Sequence, residues 1–136
     1  MVYGPYQDNN RLIPHTLNEC LNDNAFKCSA GKQHRDFLFV EDLIKAIFKC
    51  FNNKRSIGKI INIGTGKPQN IRKVILFIKN KINLGKPIFG KISLRKDEIL
   101  RLYPDTSKAK KILNWEPKIS FQKGIDILIK YYKEPT

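Results

Sequence analysis

Apolar positions along this chain follow a helical rhythm in five places and a strand-like rhythm in two. Leu12, Ile13, Leu17 and Leu21 trace one face of a helix over about Ile13 to Asn22, with Pro14 fitting its first turn. Leu43, Ile44, Ile47, Phe48 and Phe51 form a second stripe with a clean 3.6-residue period, in a helix expected to begin at Asp42, whose carboxylate can cap it. Ile71, Val74, Ile75, Ile78 and Ile82 mark a third helix behind the potential cap Asn70. Ala109, Ile112, Leu113 and Trp115 give the packing face of a fourth, behind the capping oxygens of Asp105, Thr106 and Ser107. Phe121, Ile125, Leu128, Ile129 and Tyr132 stripe a fifth, capped by Ser120. Phe37–Val40 and Lys59–Ile63 read as short strands rich in branched and aromatic side chains. The second runs into Gly64-Thr65-Gly66 and then a helix, an α/β unit whose apolar strand suggests a parallel sheet. Residues 2–7 read as a Gly-Pro loop, and Gly85–Leu94 as a Gly- and Pro-punctuated extended segment.

These elements fit one domain over residues 1–136, long enough for a real core. With 41% hydrophobic and 28% charged residues the chain reads as soluble, and no apolar run approaches a membrane span. The amino terminus has neither region of a signal peptide, so a cytoplasmic location and no membrane partner are expected. Cys20, Cys28 and Cys50 have no close spacing with one another or with His15 and His34, so reduced thiols and no metal site are expected. The net charge of +14 invites a nucleic-acid partner. However, its twenty lysines and six arginines are spread along nearly every segment, and most aromatics sit on the apolar stripes. The expectation is therefore no nucleic acid. A small basic nucleic-acid-binding protein is the alternative, and an inactive gene remnant a third reading.

Candidate chemistry centres on Gly31–Asp42, where a glycine turn, Arg35-Asp36 and a short strand follow one another. Strand geometry beside that turn would hold the Arg35 guanidinium at a fixed place, suited to bidentate phosphate recognition. Pairing with a surface acid is the other reading. Three further candidates fail. Gly64-Thr65-Gly66 lacks the third glycine and the distal acid of a dinucleotide turn, with Gln69 and Pro68 in the way. Gly85–Lys91 has the letter spacing of a phosphate loop, but Ile92 replaces the magnesium-holding hydroxyl. No tyrosine has a lysine four residues on, so the chain shows no catalytic pair.

Four motifs, taken in order, resemble the carboxy-terminal part of the extended short-chain dehydrogenase/reductases, the NAD-dependent nucleotide-sugar epimerases and dehydratases. They are Val2-Tyr-Gly-Pro-Tyr6 leading to Leu12-Ile-Pro14; Gly31-Lys-Gln-His-Arg-Asp-Phe37 with Val40-Glu-Asp42; Ile61-Asn-Ile-Gly-Thr-Gly66; and Asp105-Thr-Ser-Lys-Ala109 with Leu113-Asn-Trp-Glu-Pro117. The resemblance covers nearly the whole chain. It implies an α/β, truncated Rossmann-type epimerase/dehydratase fold, mainly the substrate-binding part, with four to five helices and a few short strands.

The same resemblance implies roles. Arg35 matches an arginine that binds the nucleotide's phosphates, Arg95 a second one, and Arg11 a position that often contacts the pyrophosphate. Glu98 matches an acid that accepts from the ribose hydroxyls, with an ion pair to Arg101 as the structural alternative. Cys28 stands where many members carry an aromatic beside the base. The family's NAD turn, catalytic Ser/Thr and Tyr-x-x-x-Lys pair have no counterpart here. The implied partner is a nucleoside-diphosphate sugar, and the family's NAD is not expected to bind this chain. The missing neighbours of the 60–63 strand are expected to leave a sheet edge open to self-association.

Overall fold

Two polar side chains set the starts of the longest-striped helices. Asn70 accepts from the Lys73 amide and Ser120 from the Lys123 amide, which closes the first turns of α3 (Ile71–Ile82) and α5 (Phe121–Lys133). The residue after α3, Asn83, and that after α4 (Ser107–Leu113), Asn114, take the left-handed conformation that asparagine tolerates best after glycine. The computed structural model describes residues 1–134. Its other helices are α1 (Leu12–Leu21) and α2 (Val40–Phe51), and the strands are β1 (Val2–Tyr3), β2 (Ala25–Lys27), β3 (His34–Arg35), β4 (Leu38–Phe39), β5 (Gln69–Asn70), β6 (Lys86–Ile88) and β7 (Arg101–Leu102).

The strands make three small sheets. β1 runs parallel to β4 and β2 parallel to β6, while β3 lies between antiparallel β5 and parallel β7. Side chains along β4 alternate between two apolar clusters, as a pleated strand requires. Phe37 and Phe39 point into the main core with Tyr3, Leu17, Ile78 and Leu128. Leu38 points the other way, toward Ala46, Ala109, Leu113 and Trp115. Tyr3 meets Phe39 edge-on at 5.4 Å between ring centroids.

Three expectations are corrected. The loop expected over residues 2–7 begins as strand β1, because burying Tyr3 among Phe37 and Phe39 draws the backbone alongside β4. Asp42 does not cap a helix, since α2 has already begun at Val40; its buried carboxylate accepts from the Lys118 and Ile119 amides at 2.8 and 2.7 Å. This ties the first turn of α2 to the segment before α5. Finally, no strand forms over Lys59–Ile63. Ile61 and Ile63 turn inward and Ile60 outward, as in a strand, but among the described residues no backbone group pairs with the amides of Ile60–Ile63. The side-chain pattern of a strand is there without its ladder.

The stripe on α2 also departs from its pattern. Only Asp42 and Ala46 of that helix are buried, whereas Ile44, Ile47, Phe48 and Phe51 are 46%, 44%, 62% and 80% exposed.

Candidate functional site

Arg35 is held by the central strand of the three-stranded sheet, opposite Gln69 on β5 and Leu102 on β7. One arm of its guanidinium, Nη1, donates to the His34 carbonyl at 2.9 Å. The other, Nη2, donates to Glu98 Oε1 at 2.5 Å, an ion pair across 63 residues of sequence whose two side chains are 14% and 22% exposed. Glu98 itself sits in a turn closed by its amide donating to the Arg95 carbonyl at 3.2 Å. The fold thus brings Arg35, Glu98 and the backbone of Arg95 to one place. Glu98 does not pair with Arg101, which lies exposed on β7; it pairs instead with Arg35, which is the pairing with an acid that stood as the other reading of Arg35.

Arg11 precedes α1, with an exposed side chain and an amide that donates to the Asp8 carbonyl at 3.0 Å. Burial holds the Met1 amine below its ordinary pKa against the opposing pull of Asp36, and the Arg11 and Arg35 guanidinium groups add smaller lowering effects. Arg95 is exposed. Cys28 is 7% exposed and faces the core, and burial pushes its thiol pKa up.

The residue that sequence reasoning missed is Asp36. Its carboxylate, 2% exposed, accepts the Thr65 amide at 3.0 Å, the Thr65 hydroxyl at 2.7 Å and the Gly66 amide at 2.7 Å. Gly64 admits this approach, since a Cβ there would lie 2.9 Å from Asp36 Oδ2 and 2.5 Å from Pro104 Cγ. Consequently the Gly64–Gly66 turn donates two amides to a protein carboxylate and offers those donors to no dinucleotide phosphate. The signal was present in sequence as an acid directly after Arg35 and a hydroxyl between two glycines, but nothing local links positions 36 and 65.

A cavity of about 440 Å³ opens beside this turn, with Phe37, Lys67, Gln69, Lys118 and Phe121 in its wall. None of Arg11, Arg35, Arg95 and Glu98 lines it. The Arg35–Glu98 pair lies outside this cavity, and Arg11 and Arg95 are exposed on the surface. Among the described residues no three His, Cys, Asp or Glu side chains gather as metal ligands, and no helix is long and apolar enough to cross a membrane.

Comparison with known proteins bears on what this surface is. A family model described as GDP-mannose 4,6 dehydratase matches residues 2–128. The chain is 31% identical to the CDP-abequose synthase of Salmonella typhimurium over 95% of its own length and 45% of that protein's. It is 36% identical to a putative UDP-glucose 4-epimerase of Methanocaldococcus jannaschii, over 97% of this chain and 43% of that protein. Among solved structures, the UDP-glucose 4-epimerase of Thermotoga maritima with UDP-glucose superposes with a TM-score of 0.88 at 25% identity, covering 97% of this chain and 43% of that one. The chain spans less than half the length of each of these relatives.

Proposed function

The chain belongs to the family of NAD-dependent nucleotide-sugar epimerases and dehydratases, and from that premise we propose that it forms the part that binds the nucleoside-diphosphate sugar, with no catalytic group of its own. The observation that carries this reading is the Arg35–Glu98 pair, which joins strand β3 to the 95–98 turn. A guanidinium anchored on one side by the His34 carbonyl and on the other by a carboxylate keeps further N–H donors for diphosphate oxygens. Glu98 Oε1 faces Arg35, which leaves Oε2 to accept from vicinal ribose hydroxyls. Arg11 and Arg95, both exposed, add positive charge for the second phosphate, within a chain of net charge +14.

Several relatives are described as bound to NAD, among them the dTDP-glucose 4,6-dehydratase of Bacillus anthracis and the UDP-glucuronic acid 4-epimerase of Bacillus cereus. The residues of this chain do not fit that cofactor's diphosphate at the Gly64–Gly66 turn, because Asp36 already occupies the donors. In our reading NAD binds elsewhere in a family member, and the 136 residues alone hold the sugar nucleotide without turning it over.

Calorimetric titration of the folded chain with UDP, CDP and dTDP tests this. Heat of binding to at least one is expected. Arg35→Ala is expected to weaken it by about tenfold or more, the equivalent of roughly 1.4 kcal/mol, and Arg95→Ala by less. A folded sample that binds none of the three sinks the proposal.

A further inference from the structure

The cavity beside the Gly64–Gly66 turn is lined by none of the residues assigned to the sugar nucleotide. At about 440 Å³ it falls within the range of small-molecule sites, roughly 300–1,000 Å³. Its two sides are tied from behind by carboxylates of one stretch of chain. Asp36 accepts the Thr65 and Gly66 amides on one side. Asp42 accepts the Lys118 and Ile119 amides on the other. Both acids are buried, at 2% and 1% exposed, so the opening between the two segments is held in shape before any ligand arrives.

The lining is of two kinds. Phe37 and Phe121, with ring centroids 5.7 Å apart and planes inclined at 54°, give it an apolar wall together with Pro117. Inclined rings of this kind pack edge or face against a third. Lys67, Lys118 and Gln69 bring hydrogen-bond donors to the same space. Among the described residues neither lysine forms an ion pair. The nearby acids are engaged elsewhere. Asp36 and Asp42 face the amides just named, with Lys45 at 3.7 Å from the second oxygen of Asp42, and Glu116 meets Lys110 at 2.8 Å. Two cations without a counter-charge beside an apolar wall suit a ligand that is anionic at one end and apolar at the other.

We propose that this cavity is a second binding site, for a small amphiphilic anion whose apolar ring lies against Phe37, Phe121 and Pro117 and whose carboxylate or phosphate meets Lys67, Lys118 and Gln69. Gln69 pairs with Arg35 across β5 and β3, so the site adjoins the proposed nucleotide surface without sharing a side chain with it.

The test is a proton–nitrogen NMR titration of the folded chain with phenyl phosphate and, separately, with benzoate. Saturable shifts centred on the amides of Thr65, Lys67, Gln69, Lys118 and Phe121 are expected with at least one of them. Inorganic phosphate, which has the charge without the ring, and benzyl alcohol, which has the ring without the charge, should each bind about tenfold more weakly or worse. The double variant Lys67→Ala/Lys118→Ala, at two exposed positions, should weaken the probe by about tenfold or more. Its urea midpoint should stay unchanged, since the residue 118 amide keeps its bond to Asp42. Absence of saturable shifts at the cavity with both probes overturns the proposal. So does equal binding by inorganic phosphate or benzyl alcohol, and so does an affinity that the double variant leaves intact. Displacement of the probe by UDP also overturns it, because the cavity would then be part of the nucleotide surface. A chain that binds phenyl phosphate but no nucleotide keeps this inference and loses the nucleotide-binding reading, so the two fail separately.

Discussion

Replacing Asp36 by asparagine measures how firmly the Gly64–Gly66 turn is held. The native carboxylate accepts three hydrogen bonds while 2% exposed. In Asp36→Asn the oxygen facing Thr65 is kept, so the bonds from its amide and hydroxyl persist in weaker, uncharged form. The atom facing the Gly66 amide, 2.7 Å away in the native chain, becomes an NH2, and donor then meets donor. A hydrogen bond to a charged group is worth about 1.5–3 kcal/mol, and a buried donor left unsatisfied costs about 1–3 kcal/mol, the two overlapping. Together with the weakening at Thr65, a loss of about 3 kcal/mol is expected, a large share of the roughly 5–15 kcal/mol that holds such a domain.

Urea unfolding reads this directly, because the chain's one tryptophan, Trp115, is 4% exposed in the cluster behind β4. At a slope of roughly 1.5 kcal/mol per molar urea, the midpoint should fall by about 2 M with the slope unchanged. Thr65→Val removes both the hydroxyl donor to Asp36 and the acceptor of the Lys67 amide, and should cost about 1–2 kcal/mol. Asp126→Asn, at an exposed Lys81 pair, should cost less than about 0.5 kcal/mol and serves as the control. A midpoint for Asp36→Asn within about 0.3 M of the native chain would refute the reasoning, since a loss of about 3 kcal/mol could not be hidden in so small a change.

Two further perturbations test the packing and the buried ionisable groups. Gly124→Ala gains roughly 1 kcal/mol of helix propensity, yet its Cβ would meet the Tyr3 hydroxyl and Phe39 ring, so a net loss of about 1–3 kcal/mol by urea unfolding is expected. Burial pushes the Cys20 thiol pKa up to about 11 and the Cys28 thiol and Tyr3 phenol upward as well, with the Asp42 carboxylate adding to the rise at Tyr3. Each is favoured in its protonated form by folding, so the stability they contribute is whole below pH 9 and falls as pH rises from about 9 through 11. Urea midpoints under reducing conditions should therefore drop between pH 8.5 and 10.5, and a flat profile would contradict the burial of these groups. For the same reason a thiol reagent at pH 8 should label half-buried Cys50 before Cys20 and Cys28, and equal native rates for all three would contradict it.

Local chemistry was legible in the sequence wherever one short stretch determined the outcome. The Asn70 and Ser120 caps, the five helices and the brief strand before α2 all follow from neighbours in sequence. Asp42 was misread because a carboxylate near a helix start satisfies the same local rule whether it caps its own helix or accepts amides 76 and 77 residues away. Asp36 was missed for the same reason, its partners lying 29 and 30 residues along the chain. At the candidate site the family motifs named Arg35 and Glu98 separately, but only the fold makes them a pair.

Amphipathic patterning reports that a face is built to be covered, and says nothing about what covers it. The α2 stripe and the 60–63 segment carry the pattern of buried elements while Phe48, Phe51 and Ile60 stand open. Covering a large apolar side chain is worth roughly 1.5–3 kcal/mol, so this surface holds a large unused driving force for association. By contrast, the Arg35–Glu98 pair is satisfied within the chain as it stands. The proposed nucleotide surface therefore has its central ion pair already formed in the isolated chain. Calorimetric nucleotide affinity of the isolated chain should therefore survive Ile47→Glu/Phe48→Glu, on the exposed face of α2, unchanged, whereas Arg35→Ala weakens it.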